Sequence, residues 1–120
     1  MPDVINLSQK LSRFNDLWNP KVIADLNDSH VKLVKVKGEF VWHSHANEDE
    51  LFLILGGRLV IEFRDRNLEL GPGEMVVIPK GVEHRPVAAE EVHLMLIEPK
   101  AILHTGGVPD PRTVTDWERI

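Results

Sequence analysis

The residues of this chain best suited to chemistry stand in one short run. His43 and His45 are separated by a single residue, and Glu50 follows five positions after His45, in HSHANEDELFLILGG. Side chains alternate between the faces of a strand, so in an extended run both imidazoles point the same way. Two imidazoles and a carboxylate arriving on the next strand are three of the four or more donors that a transition metal ion takes up. A further imidazole, His84, stands 34 residues beyond Glu50 in GEMVVIPKGVEH. Gly73, Pro79 and Gly81 make corners in that run, and a strand leaving such a corner is able to aim an imidazole back into a barrel.

The rest of the chain has to position these two runs. From residue 22 onward, short β-rich segments alternate with turns: 22–26, 30–36, 39–45, 50–55, 58–63, 67–70, 75–78 and 92–97. Short strands at this spacing predict an all-β sandwich or barrel, and no helical pattern lies between them to build βαβ crossovers. Gly56-Gly57 predicts a tight hairpin and Gly71-Pro72-Gly73 a hard corner. Ahead of the strands, Leu7, Leu11, Phe14 and Trp18 recur at helical spacing. They predict an amphipathic helix over residues 6–18, with Asn6 as N-cap, Gln9 as its capping-box partner and Asn19-Pro20 as the stop. The tail holds Gly106-Gly107, Pro109 and Pro111. It reads as an extended arm over 99–120, pinned to an apolar surface by Trp117 and Ile120. Residues 1–120 are expected to form a single domain, with the barrel over about 22–98.

Composition narrows the function. The chain is 42% apolar and 28% charged, with a net charge of −5, as in ordinary soluble domains. No basic patch points to nucleic acid or an anionic membrane surface. There is no cysteine, so disulfides, zinc fingers and thiol chemistry are excluded. No apolar run approaches the roughly 20 residues of a membrane-spanning helix, and no leader pattern opens the chain, so a cytoplasmic location is expected.

The two histidine-bearing runs resemble the two motifs of the cupin superfamily. The first family motif runs glycine, five residues, HxH, three or four residues, glutamate, six residues, glycine. Here stand Gly38, four residues, His43-x-His45, four residues, Glu50, six residues, Gly57. The second runs glycine, five residues, PxG, two residues, histidine, three residues, asparagine. Here stand Gly73, five residues, Pro79-x-Gly81, two residues, His84, three residues, Ala88. The chain departs from the pattern in its shorter first spacer and in Ala88. As a whole it is similar to small single-domain bacterial cupins of the mannose-6-phosphate isomerase-like kind, a likeness that describes fold more than substrate.

The resemblance implies a double-stranded β-helix, or jelly-roll barrel, with a short N-terminal helix. It implies one divalent transition metal ion inside, bound by His43, His45, Glu50 and His84. Three imidazoles and a carboxylate suit Fe, Mn, Ni, Cu or Zn. Glu50 is preferred to Asp49 because it has the family spacing and shares a face with Phe52 and Ile54. Phe52, Ile54, Val60 and Val77 are expected to line the cavity. His30, His93 and His104 lie outside the motifs and read as structural or surface residues.

Three uses of such a site are expected. The first is a small-molecule metalloenzyme of dioxygenase or isomerase type, with Glu62, Glu98 and His93 as spare proton-transfer groups and none singled out. The second is a non-catalytic small-ligand binder or sensor. The third is a structural metal. The 50–55 strand is apolar on both faces, so its outer face needs a cover, and a homodimer is expected.

Overall fold

Strand β7 (His84–Pro99) is the spine of the fold. The structure, a computed structural model, describes residues 2–114 and 116–120. The other strands are β1 (Lys21–Leu26), β2 (Ser29–Glu39), β3 (Glu50–Gly56), β4 (Leu59–Phe63), β5 (Asn67–Leu70), β6 (Met75–Ile78) and β8 (Glu118–Arg119), with one helix, α1 (Leu7–Leu11). One edge of β7 pairs antiparallel with β2, from Ser29↔Pro99 to Glu39↔Val87. Its other edge changes partner along its length. Residues 84–87 pair with β4, and residues 93–97 pair with β3. A strand shared in this way bends the sheet around itself and makes the jelly roll. β6 extends the sheet from β3, β5 extends it from β4, and β1 and then β8 extend it from β2.

Alternation along the strands decides what faces inward. In β7, Val92, Leu94, Leu96 and Glu98 are buried while His93, Met95 and Ile97 are half-buried. In β3, Glu50, Phe52 and Ile54 point in, and Leu51, Leu53 and Leu55 point out. The core therefore fills with aliphatic and aromatic side chains, and Glu50 and Glu98 enter it as carboxyls.

Three local expectations are corrected. The helix covers Leu7–Leu11 and buries none of its residues, although Asn6 does cap it by accepting the Gln9 N–H at 2.9 Å. The apolar stripe continues without helix because β2 takes over the backbone bonds. The Trp18 N–H donates to the Lys35 carbonyl at 2.8 Å, and Lys35 Nζ donates to the Phe14 carbonyl at 2.6 Å. Phe14 is buried, and Trp18, at φ 60°, stacks on Phe40 with ring centroids 4.6 Å apart.

Gly56-Gly57 does not close a hairpin, since β3 and β4 pair with β7 and not with each other. The chain there crosses the bend of β7 so closely that a Cβ on Gly57 would stand 2.8 Å from the Glu91 carbonyl oxygen. The tail does more than hang as an arm. Ile102, His104 and Thr105 are buried, β8 pairs parallel with β1, and the Ile120 N–H donates to the Val22 carbonyl at 3.1 Å. Trp117 seats on a charge, with Lys32 Nζ 3.3 Å from its ring centroid. No helix among the described residues is long and apolar enough to cross a membrane.

Candidate metal centre

The two motif runs meet through their backbones. His43 and His84 exchange N–H···O bonds of 3.0 and 2.9 Å, a one-residue antiparallel bridge in an otherwise irregular stretch. The Gly81 N–H donates to the His45 carbonyl at 2.8 Å. The Lys80 N–H donates to Asp49 Oδ1 at 2.9 Å. Asp49 thus ties the second run to the first, while Glu50, the first inward residue of β3, projects inside.

These bonds bring His43, His45, Glu50 and His84 together, with one donor atom from each lying within 4.8 Å of all the others. Their exposures are 4, 5, 2 and 0%. His45 Nε2 lies 3.4 Å and His84 Nε2 3.8 Å from Glu50 Oε1. Two of the rings are oriented by the same device, a carbonyl two residues upstream. His43 Nδ1 lies 2.8 Å from the Val41 oxygen, and His84 Nδ1 lies 3.0 Å from the Val82 oxygen. A carbonyl only accepts, so each Nδ1 carries the proton and each Nε2 lone pair turns inward.

His45 Nε2, Glu50 Oε1 and His84 Nε2 are buried without a hydrogen-bond partner. Buried polar atoms are rarely left so, and a shared cation satisfies all three at once. Two of the donors are also held in the form that ligates. Burial, and then the neighbouring His84, lower His43 to about 4, which keeps it neutral near pH 7. Burial alone would raise Glu50, but the neighbouring Glu98 carboxyl and the His45 and His84 rings outweigh it and hold the carboxyl well below its usual range. Neutral imidazoles beside an ionised carboxylate are the ligating forms.

Behind Glu50 lies a second buried carboxyl. Glu98 Oε1 accepts from Lys32 Nζ at 2.8 Å, with both side chains fully buried. Burial, and then the charge of Glu50, raise Glu98 well above its usual value. Glu98 is thus engaged by Lys32. Glu62 and His93 are also otherwise engaged. Glu62 accepts from Arg85 at 2.8 Å, and His93 Nε2 lies 2.7 Å from Glu91, both on the outer surface.

A cavity of about 40 Å³ opens beside His43 and Glu50. Of the residues expected to line it, Phe52 does, and Ile54 is fully buried core outside the wall. Val60 and Val77 face outward, Val77 with 48% exposure. Their neighbours Leu59, Ile61 and Ile78 take the inward positions, so the pattern was assigned one residue out of register. Sequence reasoning missed Trp18, Phe40 and His104 in the wall. The first two come from segments read as helix and strand, and His104 comes from the tail, where no motif marks it.

A rolled antiparallel sheet enclosing three imidazoles and a carboxylate is the architecture of a cupin barrel. The family model for the cupin domain matches residues 30–98, and the chain belongs to that family. Relatives agree. A cupin-2 domain containing protein of Shewanella frigidimarina NCIMB 400 is 59% identical, with 81% of this chain and 95% of that one covered and a TM-score of 0.80. A Neisseria meningitidis protein is 33% identical over 82% of this chain and all of its own, 100%, with a TM-score of 0.75. The uncharacterised protein YdbB of Bacillus subtilis (strain 168) is 42% identical over 64 residues, which are 52% of this chain and 57% of that protein's length.

Proposed function

We propose that this chain is a metal-binding cupin in which His43, His45, Glu50 and His84 hold one divalent transition metal ion beside a small-molecule cavity. The observation that carries the reading is the trio of buried donor atoms, on His45, Glu50 and His84, that lack any partner. A bound ion would supply Lewis acidity, or dioxygen activation where the metal is redox-active, for dioxygenase- or isomerase-type chemistry. The chain's own residues do the rest. The Val41 and Val82 carbonyls set the ring orientations of His43 and His84. Lys32 pairs with Glu98 behind Glu50, and the carbon side chains of Phe40, Phe52 and Leu96 make the cavity wall apolar.

Elemental analysis of protein purified without an affinity tag tests this. One metal ion per chain is expected, falling to near zero in His45→Ala and Glu50→Ala with the circular dichroism spectrum unchanged. Metal-free wild type, or variants that keep their metal, would sink the reading.

A second reading, a non-catalytic ligand binder, is favoured by one feature. Among the described residues the cavity wall holds no free carboxylate to move a proton, because Glu98 is committed to Lys32 and Glu62 faces out. Oxygen uptake by the Fe(II)-loaded protein with thiols, diketones or catechols marks the enzyme. Ligand-dependent thermal stabilisation without turnover marks the binder.

We also infer that a second copy of the chain covers the outer face of β3 and β6. The register sets Leu51 beside Val77 and Leu53 beside Met75, and Met75 and Val77 are 55% and 48% exposed. Met75 and Val77 stay this exposed with helix α1 in place, so the helix does not supply the cover.

A further inference from the structure

The tail carries into the cavity a histidine to which the metal centre gives no role. His104 is 7% exposed, and neither of its ring nitrogens has a hydrogen-bond partner. Burial holds its imidazole neutral. The backbone oxygens of Trp18 and Arg112 pull the other way, but neither closes a hydrogen bond with the ring. His104 lines the same cavity as His43 and Glu50. Its ring sits 5.5 Å from that of Phe40 and 5.5 Å from that of Trp117.

The remaining wall is carbon in character: Phe40, Phe52, Leu59, Leu94 and Leu96 face the space. The Trp18 indole N–H is engaged by the Lys37 carbonyl at 2.9 Å. Among the described residues, His104 is therefore the one polar side chain in this wall, outside the metal-donor set, whose polar atoms are buried and unpartnered.

The position of His104 is fixed tightly against the site. Two residues further on, Gly106 has φ +61°, and a Cβ there would stand 2.3 Å from the Ser44 carbonyl oxygen and 3.2 Å from His43 Cβ. Only glycine seats the tail this close to the HxH run. Arg112 closes the other side, with Nη1 donating to the Glu39 carbonyl at 2.9 Å and the guanidinium 4.6 Å from the Phe40 ring.

We propose that His104 selects the ligand of this cavity by hydrogen-bonding the hydroxyl or carbonyl oxygen of a small uncharged molecule. The proposal deepens the reading of the site given above and rests on it for what lies at the cavity's inner end. A neutral imidazole offers one donor and one acceptor, so it pairs with either kind of oxygen. Carbon walls penalise a charge that has no partner. A volume of about 40 Å³ limits the occupant to a few heavy atoms.

Acetone and 2-propanol are the probes: equal in size, uncharged, one a carbonyl and the other an alcohol. Zinc-loaded protein labelled with ¹⁵N at histidine is titrated with each. Saturable shifts of the His104 ring nitrogens are expected. His104→Phe keeps a ring between Phe40 and Trp117 and removes the nitrogens. It should weaken both probes about fivefold, the factor for one neutral hydrogen bond, read from the methyl signals of Leu94 and Leu96. His104→Gln should recover most of that loss, and the zinc content of both variants should match wild type. Gly106→Ala lifts the tail off Ser44 without touching the imidazole, and should reproduce the weakening.

The proposal is overturned if His104→Phe binds the probes as wild type does, or if neither probe enters the wild-type cavity. It is also overturned if His104→Phe sheds its zinc, which would place His104 in the donor set. Wild type that takes up no zinc, yet still shows the His104 shifts and their loss in the variant, would sink the metal reading and leave this one standing.

Discussion

Replacing Lys32 with methionine keeps the length of the side chain and removes the charge beneath the proposed metal centre. Lys32 Nζ stands 2.8 Å from Glu98 Oε1 with both side chains fully buried, and 3.3 Å from the Trp117 ring centroid. Burial pulls the ammonium down, and Glu98 pulls it back. Glu98 is raised and Glu50 lowered, so the two carboxyls share one proton and one negative charge against one ammonium. In metal-stripped protein, Lys32→Met leaves that negative charge without its buried ammonium partner. Removing one partner of a buried pair costs about 3–5 kcal/mol. With an m-value of about 2 kcal/mol/M, the urea midpoint falls by about 2 M.

Glu98→Gln should behave quite differently. An amide has the shape of a protonated carboxyl, carries no charge, and still accepts from Lys32. A cost of about 1 kcal/mol is expected. Urea unfolding of both variants after chelator treatment decides the matter. If Glu98→Gln is as damaging as Lys32→Met, Glu98 carries the charge and the assignment of the proton is wrong. If Lys32→Met costs under about 1 kcal/mol, the lysine is neutral and the ion pair does not support the site.

Two further outcomes follow from the same groups and from the sheet. His43 has a folded pKa lowered to about 4 from 6.5, so on acidification the unfolded chain takes its proton first. Its contribution is complete above about pH 6.5 and is lost toward pH 4, with about 2 kcal/mol gone between pH 7 and pH 5 in metal-free protein. His43→Leu should flatten that slope in pH-dependent urea unfolding, and an unchanged slope would refute the attribution. Leu53→Glu and Met75→Glu each put a carboxylate on the exposed face of β3 and β6 and should give monomers by light scattering at micromolar concentration. A monomeric wild type would remove the dimer altogether.

The donor set was legible because each motif carries its own geometry. The HxH spacing puts His43 and His45 side by side, and the Pro79-x-Gly81 corner returns the chain, so that His84 meets His43 across a single bridge. The strands were legible from their alternation, but their register was not. Val60 and Val77 were placed inside because nothing local distinguishes the two faces of β4 and β6, both of which carry apolar residues. The helix was overextended because the 3.6-residue stripe through Phe14 and Trp18 is also satisfied by a coil docked on β2, whose Lys35 supplies the competing hydrogen bonds. Gly56-Gly57 announced a turn without saying that β7 would serve both strands it joins. His104 was illegible for a simpler reason. Its role depends on where the tail crosses the barrel, and that path is set by a close approach of Gly106 to Ser44, a contact 62 residues apart in sequence.

The way the donors are held bears on what the proposed metal would do. Structural metal sites often exist only once the ion has gathered its ligands, and the ion's binding energy is then folding energy. Here the positions of all four donor residues are set by protein bonds alone. His43 and His84 are paired backbone to backbone, His45 is held by Gly81, and Glu50 follows Asp49, which Lys80 anchors. The core between the strands is apolar and continuous from Val34 to Leu96. A barrel held this way has no need of an ion to gather its donors, and a bound ion would meet three partnerless donor atoms already turned toward one point. Such an order of events would separate a working site from a staple, and would place the proposed metal's value in what it presents to the cavity beside His104.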